Sequence, residues 1–289
     1  MRVERQVPSL WLWLTVIAIG FSVVAYFQIV LSKSKHYVFE NFVENRFSEF
    51  ISENPGTKKV IIIGNSLTRC GIPFKTEENN YNFSYFRIVR DGYNLTDFIP
   101  LLNHLIEFNP DLILIDPYLM YADFNVPPDS KMELFKYLLG IEKYSIKRIA
   151  YLRQNSIYDD RTYNRITGKK SSPDLKFSFL ESNLKINEAK LTEISAFFDQ
   201  LNSKMTKAAF FVLPRSEKLN VKIRESLFFD SLKSATATVS AKSNIPMISV
   251  FDELPDSLYL DHSHLNQRGR KFFSGFLFNR IDSILAAAP

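Results

Sequence analysis

The chain has 289 residues, 46% of them hydrophobic and 23% charged, with a formal net charge of +5. That length and apolar content suffice for one sizeable domain with attachments; the charge is spread without a Lys/Arg block, which excludes nucleic acid as the expected partner and is compatible with anionic lipids or polymers. The single cysteine, Cys70, excludes an intrachain disulfide and a cysteine-based metal site, and reads as a buried apolar filler.

After a short flank at 1–9, the segment LWLWLTVIAIGFSVVAYFQIVL (Leu10–Leu31) runs 22 residues without a charge. As a helix it would be about 33 Å long, enough to cross a bilayer. Trp11, Trp13, Tyr26 and Phe27 lie toward its ends, where interfacial aromatics collect. No small-residue cleavage site precedes Ser32-Lys33-Ser34-Lys35, so the segment reads as an uncleaved transmembrane signal anchor. Arg2 and Arg5 before it balance Lys33 and Lys35 after it, and charge alone leaves the orientation open. Residues 32–56 read as a stalk or packing helix, with Val38, Phe39, Phe42, Val43, Phe47, Phe50 and Ile51 at helical spacing and a stop at Asn54-Pro55-Gly56.

From 57 to 289 the pattern changes to alternating strands and helices. Lys59–Thr68 (KVIIIGNSLT) begins, after its lysine, with four β-branched residues suited to a strand buried on both faces; Gly64 lets the backbone turn, and Ser66 arrives at the strand's carboxyl end. On its own this is also how an ordinary strand-to-helix turn looks, with Ser66 as a helix cap. Tyr81–Val89 reads as a second strand broken at Asp91-Gly92, and the helix after Asn94 carries Leu95, Phe98, Leu101, Leu102, Leu105 and Ile106 on one face, with His104 packed or capping. Asp111–Ile115 is a third, buried strand. The next stretch, about 117–185, is too long for a simple crossover and reads as an insertion or lid, with a helix at Lys131–Arg153 and an Arg161, Arg165, Lys169, Lys170 cluster that suits either solvent or an anionic group.

A helix over Asn187–Met205 leads to the fourth strand, Ala208–Leu213, whose end places Arg215 at the same sheet edge as Ser66. There Arg215 serves either a carboxylate or phosphate ligand or a surface ion pair. One helix from Glu217 to about Lys242 and a fifth strand at Met247–Phe251 follow; Asn266–Leu285 closes the chain as a helix with Phe272, Phe273, Phe276, Leu277, Ile281 and Leu285 on one face. This alternation predicts a parallel sheet with helices on both faces.

Just before that last helix stands LDHSHLNQRG (Leu260–Gly269), in which Asp261 and His264 are three residues apart. A nucleophilic serine needs a base within hydrogen-bond reach, and the base needs an acceptor that fixes its tautomer. Asp-x-x-His supplies both from one turn. His262 also neighbours Asp261 and reads as a rim residue. Residues this close in a short turn rarely converge on one ion, so neither a metal nor another cofactor is expected.

The Gly64-Asn65-Ser66-Leu67-Thr68 turn together with Asp261-x-x-His264-Leu265-Asn266-x-x-Gly269 resembles the SGNH (GDSL-like) hydrolase superfamily. The likeness extends to its membrane-anchored, cell-envelope acyltransferase and esterase members and covers about 59–285. It implies a flavodoxin-like three-layer α/β/α fold with a mostly parallel five-stranded sheet. It implies Ser66 as nucleophile, His264 as base and Asp261 as its orienter, with Ser66 and Gly92 forming the oxyanion hole. The family's Asn after the third strand is missing, since the chain reads DPYLMYADFN there; Asp116, Tyr118 or the displaced Asn125 would have to stand in. Asn65, Arg215 and His262 are the candidate substrate contacts.

By the same resemblance, the chain is expected to be a serine esterase or O-acyltransferase acting on acyl esters, acetyl foremost, of cell-envelope polysaccharide or glycolipid. Its location would be the inner membrane, held by one helix with the catalytic domain on the periplasmic side, beside a multi-spanning acyltransferase. The alternatives are an SGNH-like accessory protein that binds a polymer or partners such an acyltransferase, and a plain lipase acting on membrane lipids.

Overall fold

Val60, Ile61, Ile62 and Ile63 are wholly buried in the computed structural model, which describes residues 10–74, 81–90, 93–120, 188–204, 206–224, 227–261 and 263–286, without the side chains of 27–42, 188, 227–229 and 231–232. In chain order the described elements are α1 (Leu10–Glu53), β1 (Lys58–Gly64), α2 (Ser66–Gly71), β2 (Phe83–Val89), α3 (Leu95–Leu105), β3 (Leu112–Ile115), α4 (Glu188–Ser203) and β4 (Lys207–Val212). They continue with β5 (Arg215–Ser216), α5 (Glu217–Arg224), α6 (Leu227–Ser243), β6 (Met247–Ser249), β7 (Glu253–Leu254) and α7 (Gln267–Ala286).

The chain divides into two compact units, Met1–Val43 with Pro127–Arg153, and Glu44–Val126 with Gln154–Pro289. The described part of the first is helical, and every side chain from 10 to 26 is exposed. Among the described residues no helix is long and apolar enough to cross a membrane. The expected anchor runs on through 27–31, whose side chains lie outside the described residues. The expected insertion lies outside them from 121 to 187, with its helix and its Arg161–Lys170 cluster.

The second unit holds a five-stranded sheet in the order β2-β1-β3-β4-β6, and every neighbouring pair is parallel. Successive side chains on a strand point to opposite faces, which here sorts the core into two layers. Val60, Ile62, Leu112, Leu114 and Phe211 join Phe273, Leu277, Phe278 and Ile281 of α7. On the other face, Phe210 meets Phe198 of α4 edge-on at 5.6 Å, and Phe86 meets Phe47, from the end of α1, at 5.2 Å. A strand walled in on both sides must be apolar at every position, which is why β1 reads as an unbroken β-branched run rather than an alternating one.

Several expected boundaries differ, and the segments expected as anchor and stalk form one helix, α1. The helix expected from Glu217 to Lys242 is described as two, α5 and α6, and before α5 the chain makes a two-residue strand, β5, that pairs in parallel with β7 in a small second sheet. The fifth strand of the main sheet ends at Ser249, because Phe251 leaves the ladder to pack on α7, stacked on Phe272 at 5.3 Å and edge-on to Phe276 at 5.0 Å. All five main strands being parallel, their carboxyl ends share one edge, and Gly64, Arg90, Asp116 and Arg215 mark it. In open α/β sheets this is the edge outside which ligands bind.

Candidate active site

At the end of β1 the chain must enter α2 within one residue, and Gly64 makes this feasible. A Cβ there would stand 1.8 Å from Thr68 Oγ1 and 2.4 Å from Thr68 Cβ. Asn65 is the N-cap of α2: its side chain accepts a hydrogen bond from the Leu67 N–H at 2.9 Å, so the residue expected to contact substrate has its carbonyl oxygen engaged in holding the helix start. Ser66 is the first residue of α2, with its hydroxyl toward the C-terminal turn.

That turn is tightly laced. Leu260 N–H donates to the His264 carbonyl at 2.8 Å, Tyr259 and Leu265 form an antiparallel bridge, and Asn266 N–H donates to the Leu258 carbonyl at 2.9 Å. Asn266 Oδ1 then accepts from the N–H groups of Arg268 (3.0 Å) and Gly269 (3.1 Å), capping α7. Gly269 allows the close approach this needs, since a Cβ there would stand 2.2 Å from the Leu258 carbonyl oxygen. Within the loop, Asp261 Oδ1 accepts from the backbone N–H groups of Ser263 (2.9 Å) and His264 (2.7 Å).

The turn and α2 bring three side chains together. His264 Nε2 lies 3.1 Å from Ser66 Oγ, and His264 Nδ1 lies 3.0 and 2.9 Å from the two Asp261 carboxylate oxygens. Burial pushes the Asp261 carboxyl up, but the hydrogen bonds and charge of His264 and the two backbone donors outweigh it and hold the group at about 2. An ionised Asp261 can only accept, so Nδ1 carries the proton. Nε2 is left with its lone pair toward the serine hydroxyl, the tautomer that a general base requires.

The end of β3 holds a second cluster. Asp116 is wholly buried, accepting from Thr68 Oγ1 at 2.8 Å and from the Tyr118 N–H at 3.0 Å. Burial pushes its carboxyl up to about 7, against the pull of the Thr68 hydrogen bond and of Arg215. Arg215 stacks its guanidinium 4.5 Å from the Tyr118 ring centre; burial pushes it down to about 9, against Asp116 and Tyr259, and at neutral pH it keeps its charge. Arg215 thus stands beside the site, facing Asp116 within the protein.

Of the residues expected at the site, Ser66, His264 and Asp261 converge, Asn65 caps α2, and Arg215 joins Asp116 and Tyr118. Gly92, Asn125 and His262 lie outside the described residues. Cys70 is buried, and His104 is on the exposed side of α3. Nothing in the sequence announces the Thr68–Asp116 hydrogen bond: Asp116, a candidate to stand in for the family's Asn, accepts on both of its oxygens, from Thr68 and from Tyr118.

No protein-family model matches the sequence, and no curated protein does. The chain is similar to solved structures of GDSL-like lipases and acylhydrolases. Among them are a GDSL-like lipase from Bacteroides thetaiotaomicron (10% identity, covering 83% of this chain and 98% of that one, TM-score 0.42) and a putative acylhydrolase from Bacteroides fragilis (12% identity, 83% and 96%, TM-score 0.44). A third is a lipase/acylhydrolase from Enterococcus faecalis (13% identity, 79% and 97%, TM-score 0.40).

Proposed function

We propose that the chain is a serine hydrolase of the SGNH (GDSL-like) type, working by two-step acyl transfer. The observation that carries the reading is the unbroken relay from the Ser66 hydroxyl, 3.1 Å from His264 Nε2, to Asp261 at Nδ1. Ser66 Oγ attacks an ester carbonyl while His264 takes its proton, and the ester C–O bond breaks as His264 returns that proton to the departing alcohol. Water or a sugar hydroxyl, deprotonated by His264, then releases the acyl group and regenerates Ser66. The N–H of Ser66 and of Gly92 are the donors proposed for the oxyanion.

The proposed substrates are acetyl or related acyl esters of cell-envelope polysaccharide or glycolipid, with the acceptor hydroxyl deciding between transfer and hydrolysis. We further propose that Leu10–Leu31 anchors the chain in the inner membrane, with the domain on the periplasmic side and a multi-spanning acyltransferase as partner. The uncharged run supports the anchor, as does the exposure of every described side chain from 10 to 26, an apolar surface too continuous to be left in water.

One observation favours a second reading. Where the family carries an Asn donor after the third strand, this chain has Asp116, and its carboxylate is spent on Thr68 and Tyr118. An SGNH-like accessory protein that binds polymer or partners an acyltransferase would tolerate that loss.

The test is full-length chain treated with a serine-reactive fluorophosphonate and, separately, with p-nitrophenyl acetate, alongside Ser66→Ala. Labelling and acetate release confined to the wild type support the enzyme; their absence from both proteins supports the accessory reading. Adding a polysaccharide acceptor and following acetyl-sugar against free acetate separates transferase from esterase.

A further inference from the structure

The triad accounts for three of the polar side chains at the sheet edge and leaves a fourth unexplained: a carboxylate sealed under the nucleophile's helix. Asp116 has no solvent exposure, and its two oxygens divide between Thr68 Oγ1 (2.8 Å) and the Tyr118 N–H (3.0 Å), while its own N–H donates to the Ile63 carbonyl at 3.0 Å. The backbone of Asp116 is therefore pinned to β1, the strand that delivers the serine, and its side chain is pinned to the helix that carries it. Thr68 is two residues beyond Ser66 and is itself wedged: Gly64's bare α-carbon leaves no room on one side, and Asp116 holds the hydroxyl on the other. α2 is only six residues long, too short to keep its own orientation without such contacts.

We infer that Asp116 is a positioning residue for the nucleophile: through the Thr68 hydroxyl, its ionised carboxylate holds the first turn of α2 at the angle that puts Ser66 Oγ on His264 Nε2. Ionised, the carboxylate accepts both hydrogen bonds at full strength; protonated, it turns one oxygen into a donor, so the Thr68 bond must reverse or weaken. Among the described residues the charged group acting on Asp116 is Arg215; β1 presents a carbonyl to it, α2 the neutral Thr68 hydroxyl, and its own segment the Tyr118 N–H. Burial raises its carboxyl to about 7, so the serine's alignment depends on pH through a group that never touches substrate. The inference rests on the serine-hydrolase reading.

The experiment follows fluorophosphonate labelling rates of full-length wild type, Asp116→Asn, Thr68→Val and Thr68→Ser from pH 5 to 9. In the wild type, loss of alignment on protonating Asp116 should steepen the acid limb of log rate against pH relative to that of Asp116→Asn. Thr68→Val should label about tenfold or more slowly at the plateau, as a misplaced nucleophile does, and, having lost the hydroxyl that links Asp116 to α2, should show the shallower acid limb of Asp116→Asn. Thr68→Ser, which keeps the hydroxyl, should restore both. A wild-type acid limb no steeper than that of Asp116→Asn, or a plateau in Thr68→Val equal to wild type, overturns the inference while leaving the serine hydrolase intact. Absence of labelling in the wild type at every pH overturns the hydrolase reading itself. Should Asp116→Asn fail to fold, the Thr68→Val and Thr68→Ser pair decides on its own.

Discussion

Asp116 and Asp261 sit within one site and answer to opposite physics. Asp261 gains partners on folding, and its carboxyl falls to about 2; its contribution to stability is complete above the ordinary aspartate value and is lost as pH drops through the folded one. Asp116 loses water on folding and rises from 3.8 to about 7. Between those two values the folded chain holds a proton that the unfolded chain has released, so stability falls as pH rises through the window and levels off above it. The slope amounts to roughly 1.4 kcal/mol for each unit separating the folded and unfolded values. Urea midpoints should therefore decline from pH 4.5 to 7.5 in the wild type and stay flatter in Asp116→Asn; parallel curves would remove Asp116 as the source. The ionised form that aligns the serine is then also the one that folds less tightly, a tension common where function demands a buried charge. Ser66, Asp261 and His264 were readable in the sequence because each belongs to a local turn with its own spacing rule. The Thr68–Asp116 bond was not, because it joins residues 48 apart through the β1–β3 pairing, and nothing in either turn announces the other.

The element that sets the site is the six-residue α2, and it is held from three sides: the Asn65 cap at its start, the Thr68–Asp116 bond at its middle, and Arg87, which reaches the Arg69 and Ile72 carbonyls at its end. Gly64→Ala tests that arrangement. The new Cβ would overlap the Thr68 hydroxyl and branch carbon, and the strand beneath, buried on both faces, cannot yield. We expect α2 to tilt, with labelling of Ser66 slowed about a hundredfold and stability reduced by about 1–3 kcal/mol; labelling rate and urea midpoint check the two separately. An unchanged labelling rate would mean that α2 tolerates the displacement. β1 was legible from its unbroken β-branched run and α7 from its helical periodicity. β5 and β7, two residues each, carry no periodicity at all, and the early end of β6 reflects a tertiary preference, Phe251 for the aromatics of α7, that no local pattern encodes.

At the level of the whole chain, the hydroxyl and the imidazole of the proposed reaction are 198 residues apart in sequence, and the imidazole's turn is tied by Asn266 and Gly269 to α7, whose Phe273, Leu277, Phe278, Ile281 and Leu285 are buried against the sheet. A chain ended after Pro255 should lose all fluorophosphonate labelling and, with one layer of its core stripped away, its resistance to trypsin; retained labelling would mean another base serves Ser66. Because synthesis runs from the amino end, Ser66 leaves the ribosome 198 residues before His264, and a growing polypeptide carries that serine without its proposed base until the second turn has been made and docked. Under the proposed reading, a reactive hydroxyl would then report that two widely separated turns have been joined.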